Sequence, residues 1–388
     1  MTLPKILKRM FTVLPNGLNK KENKMITDHL SEKTKIRHMT ELADYRNNTL
    51  RKNPRLKFLF IEMTNLCNER CRHCGSSCGE QSSEGILSGD EIKAFLKKTA
   101  SQFNVKDMQL CITGGEPLLR KDFFDIMAYA NSLGYGWGMT SNGILIDEAT
   151  AERLAETGMK TISISIDGLP HTHDWFRQKE GGFEAAMNGI RELVKCGKFH
   201  HVQVTTVVHK KNIGELEALY ELLKKEHLRS WRVINIEPIG RAKECPELLL
   251  DSKDYIRMFD FIKTHRNDDV LPVTYGCSHY LGAALEREVR KWYFLCNAGV
   301  YTASIMWNGD IAACLDIERR PELIQGNIRQ DDFAEVWKNR FEQYRTDFKK
   351  KGPCKDCKDF EFCAGGSFHT WNFDENRQNV CFKDILFK

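Results

Sequence analysis

Cys67, Cys71 and Cys74 form a Cys-x3-Cys-x2-Cys run inside a polar stretch that also holds Asn65, Asn68, Glu69, Arg70, Arg72 and His73. Three thiolates on one loop can hold three irons of a [4Fe–4S] cube and leave the fourth iron open to another ligand. An open iron lets a bound molecule coordinate and receive an electron directly. Zinc is the alternative on spacing alone, with His73 or Cys78 closing a tetrahedral site. The chain has 14 cysteines in 388 residues. No secretory signal is visible, because Lys8-Arg9 breaks Ile6-Leu7 at once. No stretch nears the roughly 18 apolar residues of a membrane span. The expected compartment is therefore a reducing cytoplasm, where closely spaced cysteines read as metal ligands or redox groups.

A second set of cysteines lies further on: Cys296-x12-Gly309-x4-Cys314, then Cys354-x2-Cys357-x5-Cys363, then Cys381. Cys-x2-Cys pairs also suit a zinc ribbon, so spacing leaves both metals open here as well. Between the two sets stand short motifs that can handle a ligand. Gly114-Gly115 lets backbone approach a bound group without a Cβ clash, and Pro117 fixes the exit of the Gly-Gly-Glu116-Pro turn. Ser141 and Asn142 offer hydroxyl and amide groups, or form an ordinary Asn-Gly turn. Ser163 and Ser165 alternate along one strand and share a face. Asp167 is a candidate catalytic carboxylate within an Asp-Gly turn. Arg177 has the guanidinium fork that suits a carboxylate, unless it is a solvated surface side chain.

These residues need a scaffold, and the chain supplies a strand–helix alternation from residue 56. Candidate strands are 56–63, 108–113, 136–140, 161–166, 201–208 and 231–236; amphipathic segments 89–103, 122–133, 147–157, 182–196 and 213–224 lie between them. Six strands with helical crossovers predict an α/β fold, a partial (β/α)6 barrel with helices outside. Sites in such folds lie at the carboxyl ends of strands. The cysteine loop, the Gly-Gly-Glu-Pro turn, Ser141-Asn142-Gly143 and Asp167-Gly168 all follow strands, which points to one shared site. The expected divisions are a basic, helical extension over 1–53, the barrel over 54–267, and a cysteine-rich domain over 268–388. A net charge of +5, spread along the chain, gives no case for nucleic acid.

The Cys67-x3-Cys71-x2-Cys74 run followed by Gly114-Gly115-Glu116-Pro117 resembles the radical S-adenosylmethionine superfamily. The resemblance covers about residues 54–265. It implies that S-adenosylmethionine chelates the open iron and is cleaved reductively to a 5′-deoxyadenosyl radical that abstracts hydrogen from a substrate. It also implies that the Gly-rich turn receives the methionine ammonium, Ser141 and Asn142 the ribose, and Arg177 the methionine carboxylate. The segment Glu237-Pro238-Ile239-Gly240-Arg241 is similar to the family's sixth-strand region, near the adenine. The C-terminal cysteines resemble the SPASM domain, which carries auxiliary iron–sulfur clusters. On that pattern Cys354, Cys357, Cys363 and Cys381 complete one cluster. Ser367 stands where the pattern has a further cysteine, leaving Cys296 and Cys314 with Cys277 as the substitute ligand. One catalytic [4Fe–4S] cluster and one or two auxiliary ones are expected.

Proteins with this domain pair modify peptides or proteins, as in the maturation of ribosomally made peptides, so a peptide or protein substrate is the leading expectation. A small molecule or tetrapyrrole side chain is the second. A non-catalytic iron–sulfur electron carrier is the alternative of another class, and the nucleotide-site motifs argue against it. A flavodoxin or ferredoxin is the expected electron donor. The first 53 residues lack the strands of a winged-helix recognition module. The substrate is therefore expected at the barrel mouth itself or through a separate peptide-recognition protein.

Overall fold

Alternating burial along each strand sets the architecture. In the computed structural model, which describes residues 30–79, 85–276 and 279–386, the strands are β1 (Phe58–Glu62), β2 (Gln109–Thr113), β3 (Gly136–Ser141), β4 (Met159–Ser165), β5 (His201–Val208), β6 (Ser230–Asn235), β7 (Val273–Tyr275), β8 (Thr302–Ile305), β9 (Asp310–Ala312) and β10 (Gly326–Asn327). They form one sheet in the order β10-β9-β8-β1-β2-β3-β4-β5-β6-β7. Pairing is parallel from β8 through β1 to β7 and antiparallel only for β9 and β10.

Leu59, Ile61, Leu110, Ile112, Trp137, Met139, Ile162, Ile164, Val204, Trp231 and Val233 point outward and are buried in one apolar core. Helices α1 (Glu32–Tyr45), α2 (Gly89–Gln102), α3 (Phe123–Ser132), α4 (Glu148–Glu156), α5 (Pro170–Arg177), α6 (Gly182–Cys196), α7 (Leu216–Leu223) and α8 (Ser252–His265) accompany the strands. A capping box starts α2, with Ser88 accepting from Glu91 N and Glu91 from Ser88 N. The opposite strand positions are mostly polar: Glu62, Gln109, Thr113, Thr140, Ser163, Ser165, Gln203, Thr205 and Arg232. A parallel sheet buried on both faces reads as continuous apolar runs. This one alternates, so its inner face lines a polar interior. Thr140 is exposed although its strand lies between paired neighbours, which shows that solvent reaches that interior.

The expected barrel is therefore present, with two further strands. Helix α8 carries the chain to a seventh parallel strand, β7, and β8 joins the other side of β1. Both strands come from the region assigned to a separate domain at 268–388, so no break in the sheet matches that boundary. They span three and four residues, too short for a periodicity to reveal. The N-terminal helix α1 packs on the C-terminal region, through Met39, Leu42 and Tyr45 against Tyr293, Val300 and Tyr301. The Tyr45 and Tyr301 hydroxyls are 2.9 Å apart. The basic residues Lys5 to Lys24 lie outside the described residues. Among the described residues no helix is long and apolar enough to cross a membrane.

Candidate iron–sulfur and cofactor site

The cysteine loop leaves β1 without regular secondary structure, so its backbone must be satisfied from outside. Three neighbours do this. On the β2 side, Gly115 N donates to Thr64 O and Glu116 N to Leu66 O, each at 2.8 Å. From the end of α5, Phe176 O accepts from Arg72 N at 2.9 Å and Arg177 O from Arg70 N at 3.2 Å. After β6, Arg241 donates from Nε to Cys71 O and from Nη1 to Cys78 O, both at 2.7 Å. A Cβ on Gly115 would stand 1.9 Å from Leu66 O, and one on Gly114 2.6 Å from Thr64 O. The Gly-Gly pair is thus required by the cysteine loop itself, where the sequence had suggested room for a ligand. Gly240, at φ +52°, is equally constrained, its Cβ position lying 2.3 Å from Cys74 O. The Gly240-Arg241 segment, expected near an adenine, is therefore also a clamp on the loop.

Charge is concentrated behind Cys71. The Arg177 guanidinium donates to Glu69 Oε2 at 2.7 Å and Asp167 Oδ2 at 2.8 Å, and lies 3.9 Å from Cys71 Sγ. Glu69, Asp167 and Arg177 are all buried. Arg177 is thus neither a surface side chain nor an uncommitted fork for an incoming carboxylate. Asp167 uses both oxygens, since Oδ1 accepts from Val207 N at 2.7 Å. It organises the β4–α5 junction. His73 stacks on Phe176 at 4.3 Å, with His209 on Phe176 at 3.9 Å. Burial lowers His73 to about 3 and His209 to about 4, so both are neutral packing rings at physiological pH.

Burial also pushes the Cys67 thiol up to about 11 and Cys71 well above its ordinary value. Cys74 moves the other way, lowered first by a hydrogen bond from the Cys78 thiol. Cys78 therefore adjoins the trio. The residues fit an iron–sulfur cluster: three thiols on one clamped loop, a cradle that excludes a Cβ, and a buried cation to balance thiolate charge. Among the described residues no three metal-ligating side chains close around a single ion.

Glu116 begins the other half of the site. Its carboxylate accepts from Ser141 Oγ at 3.0 Å, Asn142 N at 2.9 Å and Leu118 N at 3.3 Å. Burial raises it to about 7 despite those hydrogen bonds. The Ser141 proton is thereby committed, and Asn142 Nδ2 donates to Asn68 Oδ1 at 2.6 Å. Both residues thus link the β3 turn to the Glu116 turn and the cysteine loop. Pro117 opens a short 3-10 turn after Glu116. Ser163 bonds the Thr205 hydroxyl at 2.7 Å on the inner face, and Ser165 follows on that face. Glu62 ties β1 to the C-terminal region by accepting from Ser76 Oγ at 3.0 Å and from Arg319. The sequence reading missed Glu62, Glu69 and Arg319. Glu69 alone carried a signal, as an acid inside the cysteine run.

The C-terminal cysteines lie near one another in the fold. Cys296 and Cys314 both lie close enough to Tyr344 to bias its hydroxyl. Cys363, raised to about 12 by burial, also feels Cys381 and Cys354, and Lys383 Nζ is 3.7 Å from Cys357 Sγ. Lys349 is buried, donates to Gly366 O, and senses Cys296, Cys363 and Cys354. Ser367 is buried, its carbonyl accepting from Thr370 Oγ1 at 3.1 Å. Cys277 lies outside the described residues.

Residues 61–223 match the family described as the Radical SAM superfamily, and 296–358 match the one described as an iron–sulfur cluster-binding domain, SPASM. The chain is 27% identical to the AdoMet-dependent heme synthase of Nitratidesulfovibrio vulgaris, over 82% of this chain and 89% of that protein. It is 26% identical to the mycofactocin maturase MftC of Mycobacterium tuberculosis, over 79% and 76%. Streptococcus suis SuiB bound to precursor peptide SuiA is similar in fold, with a TM-score of 0.62 at 17% identity, covering 94% of this chain and 82% of that one. Replacing Gly115 with Ala is expected to displace the Cys67 loop. Iron content after anaerobic reconstitution should then fall by about the irons of one cluster; full iron loading in Gly115→Ala would contradict the clamp.

Proposed function

We propose that this chain is a radical S-adenosylmethionine enzyme with a SPASM domain, on its matches over residues 61–223 and 296–358, and that it modifies a peptide or protein by hydrogen abstraction. The observation that carries the reading is the clamped cysteine loop at the mouth of a polar, solvent-reached barrel interior. The cluster and S-adenosylmethionine, when bound, supply one electron and a 5′-deoxyadenosyl radical. The chain's own residues position the reactants. Cys67, Cys71 and Cys74 would hold the cluster, and Arg177, held by Asp167 and Glu69, offsets thiolate charge behind Cys71. Glu116 offers a carboxylate for the methionine ammonium, with Ser141 and Asn142 fixing its orientation. Cys354, Cys357, Cys363 and Cys381 would hold one auxiliary cluster, and Cys296 and Cys314 belong to a second. The peptide substrate is supported by the maturase MftC and by SuiB with its precursor peptide. The heme synthase, matched over most of its length, favours a second reading, a tetrapyrrole side chain as substrate.

The Glu116 carboxyl sits above its usual range because it is buried, so it ionises only as pH rises through about 7. Affinity for S-adenosylmethionine should therefore rise with pH through that value, by up to about tenfold per unit below it. Glu116→Gln should flatten the profile; an unchanged slope would remove Glu116 from the ammonium site. The substrate class is tested by isotope transfer. A deuterated candidate peptide should return deuterium in 5′-deoxyadenosine and change in mass. Deuterium returned from a tetrapyrrole and none from the peptide would establish the second reading instead.

A further inference from the structure

The inner face of the barrel carries an arginine that no carboxylate among the described residues neutralises. Arg232 lies on β6 at the position paired with Thr205 of β5, which in turn pairs with Ser165 of β4. Its neighbours fix its direction. Trp231 and Val233 face the outer core, Trp231 packing on Tyr220 of α7 at 6.3 Å and Phe261 of α8 at 5.4 Å. Arg232 therefore points inward. Its Nε donates to Thr205 Oγ1 at 3.1 Å, and Thr205 Oγ1 lies 2.7 Å from Ser163 Oγ. Its charge is felt by Cys111 on β2, so the guanidinium reaches into the interior.

Two carboxylates near this interior are already engaged. Glu62 on β1 pairs with Arg319, and Glu116 accepts hydrogen bonds from the β3 turn and is assigned to the cofactor ammonium. Among the described residues no carboxylate forms an ion pair with Arg232. Among the described residues its Nη1 and Nη2 have no hydrogen-bond partner, and neither is a buried orphan. Arg232 is itself only partly buried. With Nε anchored on Thr205, the end of the fork carries two parallel N–H donors, the geometry that grips a carboxylate bidentately. A cation in a partly enclosed site without a counter-charge is costly unless a ligand supplies one.

We propose that Arg232 anchors a carboxylate of the substrate inside the barrel, beneath the cofactor site. The proposal rests on the radical S-adenosylmethionine reading and narrows it to substrates with a free carboxylate, whether a peptide terminus or side chain or the acid arm of a small molecule. The methionine carboxylate of the cofactor is the competing source of the same chemistry. It is expected near the cysteine loop and Glu116, on the β1–β2 side, whereas Arg232 stands on β6.

The test uses cluster-reconstituted full-length protein with propionate as the probe and propionamide as the neutral control, followed by saturation-transfer NMR. Wild type should bind propionate and discriminate against propionamide. Arg232→Gln should weaken propionate binding by about tenfold or more, the usual scale for a charge-assisted hydrogen bond. S-adenosylmethionine binding should weaken far less. Unchanged propionate binding in Arg232→Gln, no discrimination by the wild type, or a tenfold loss of S-adenosylmethionine binding would each overturn the proposal, the last by assigning Arg232 to the cofactor. If Arg232→Gln fails to load iron, Arg232→Lys decides. It keeps the charge and loses the fork, so weakened propionate binding supports the proposal and unchanged binding overturns it. The propionate comparison needs no turnover, so failure to cleave S-adenosylmethionine would count against the parent reading alone.

Discussion

The cysteine loop is an irregular segment whose carbonyls need donors, and the rest of the site is built around supplying them. Gly115 and Glu116 bond it from the β2 turn, Arg241 from beyond β6, and α5 receives its N–H groups. These partners come from segments up to 170 residues away in sequence, so the loop takes shape only when the sheet is assembled. The thiols alone would not place a cluster; the hydrogen bonds give them a fixed orientation. This is why two Gly contacts under 2.5 Å, at Gly115 and Gly240, meet backbone rather than open space.

Electrostatics follows the same frame. Arg177 carries positive charge to Cys71 and is itself held in place by Glu69 and Asp167. Glu62 does comparable work at β1, joining the barrel to Arg319 of the C-terminal region. Together with β8 alongside β1, it makes the auxiliary region continuous with the catalytic sheet. Lys349 is buried near Cys296, Cys354 and Cys363.

Much of this was legible in the sequence because chemistry and periodicity coincided there. The cysteine run, the Gly-Gly-Glu-Pro turn and strands β1 to β6 announced themselves by residue type and spacing. The bounds of β5 and α6 match the expectation residue for residue. Strands β7 and β8 did not, since three or four residues carry no period. The contact between Asp167 and Arg177 was hidden for another reason. An Asp-Gly turn and a basic residue look the same in sequence whether they face a ligand or each other, and only the 2.8 Å contact between them decides. Arg232 was hidden likewise: its meaning depends on which face of β6 it occupies and on the lack of an ion-pair partner among the described residues.

The central claim is that the Cys67, Cys71, Cys74 loop holds the cluster that cleaves S-adenosylmethionine. Its most direct test is 5′-deoxyadenosine release by anaerobically reconstituted protein given dithionite and S-adenosylmethionine. The account predicts release by the wild type and none by Cys71→Ala. No release from wild type at full iron loading, or release retained in Cys71→Ala, would contradict it.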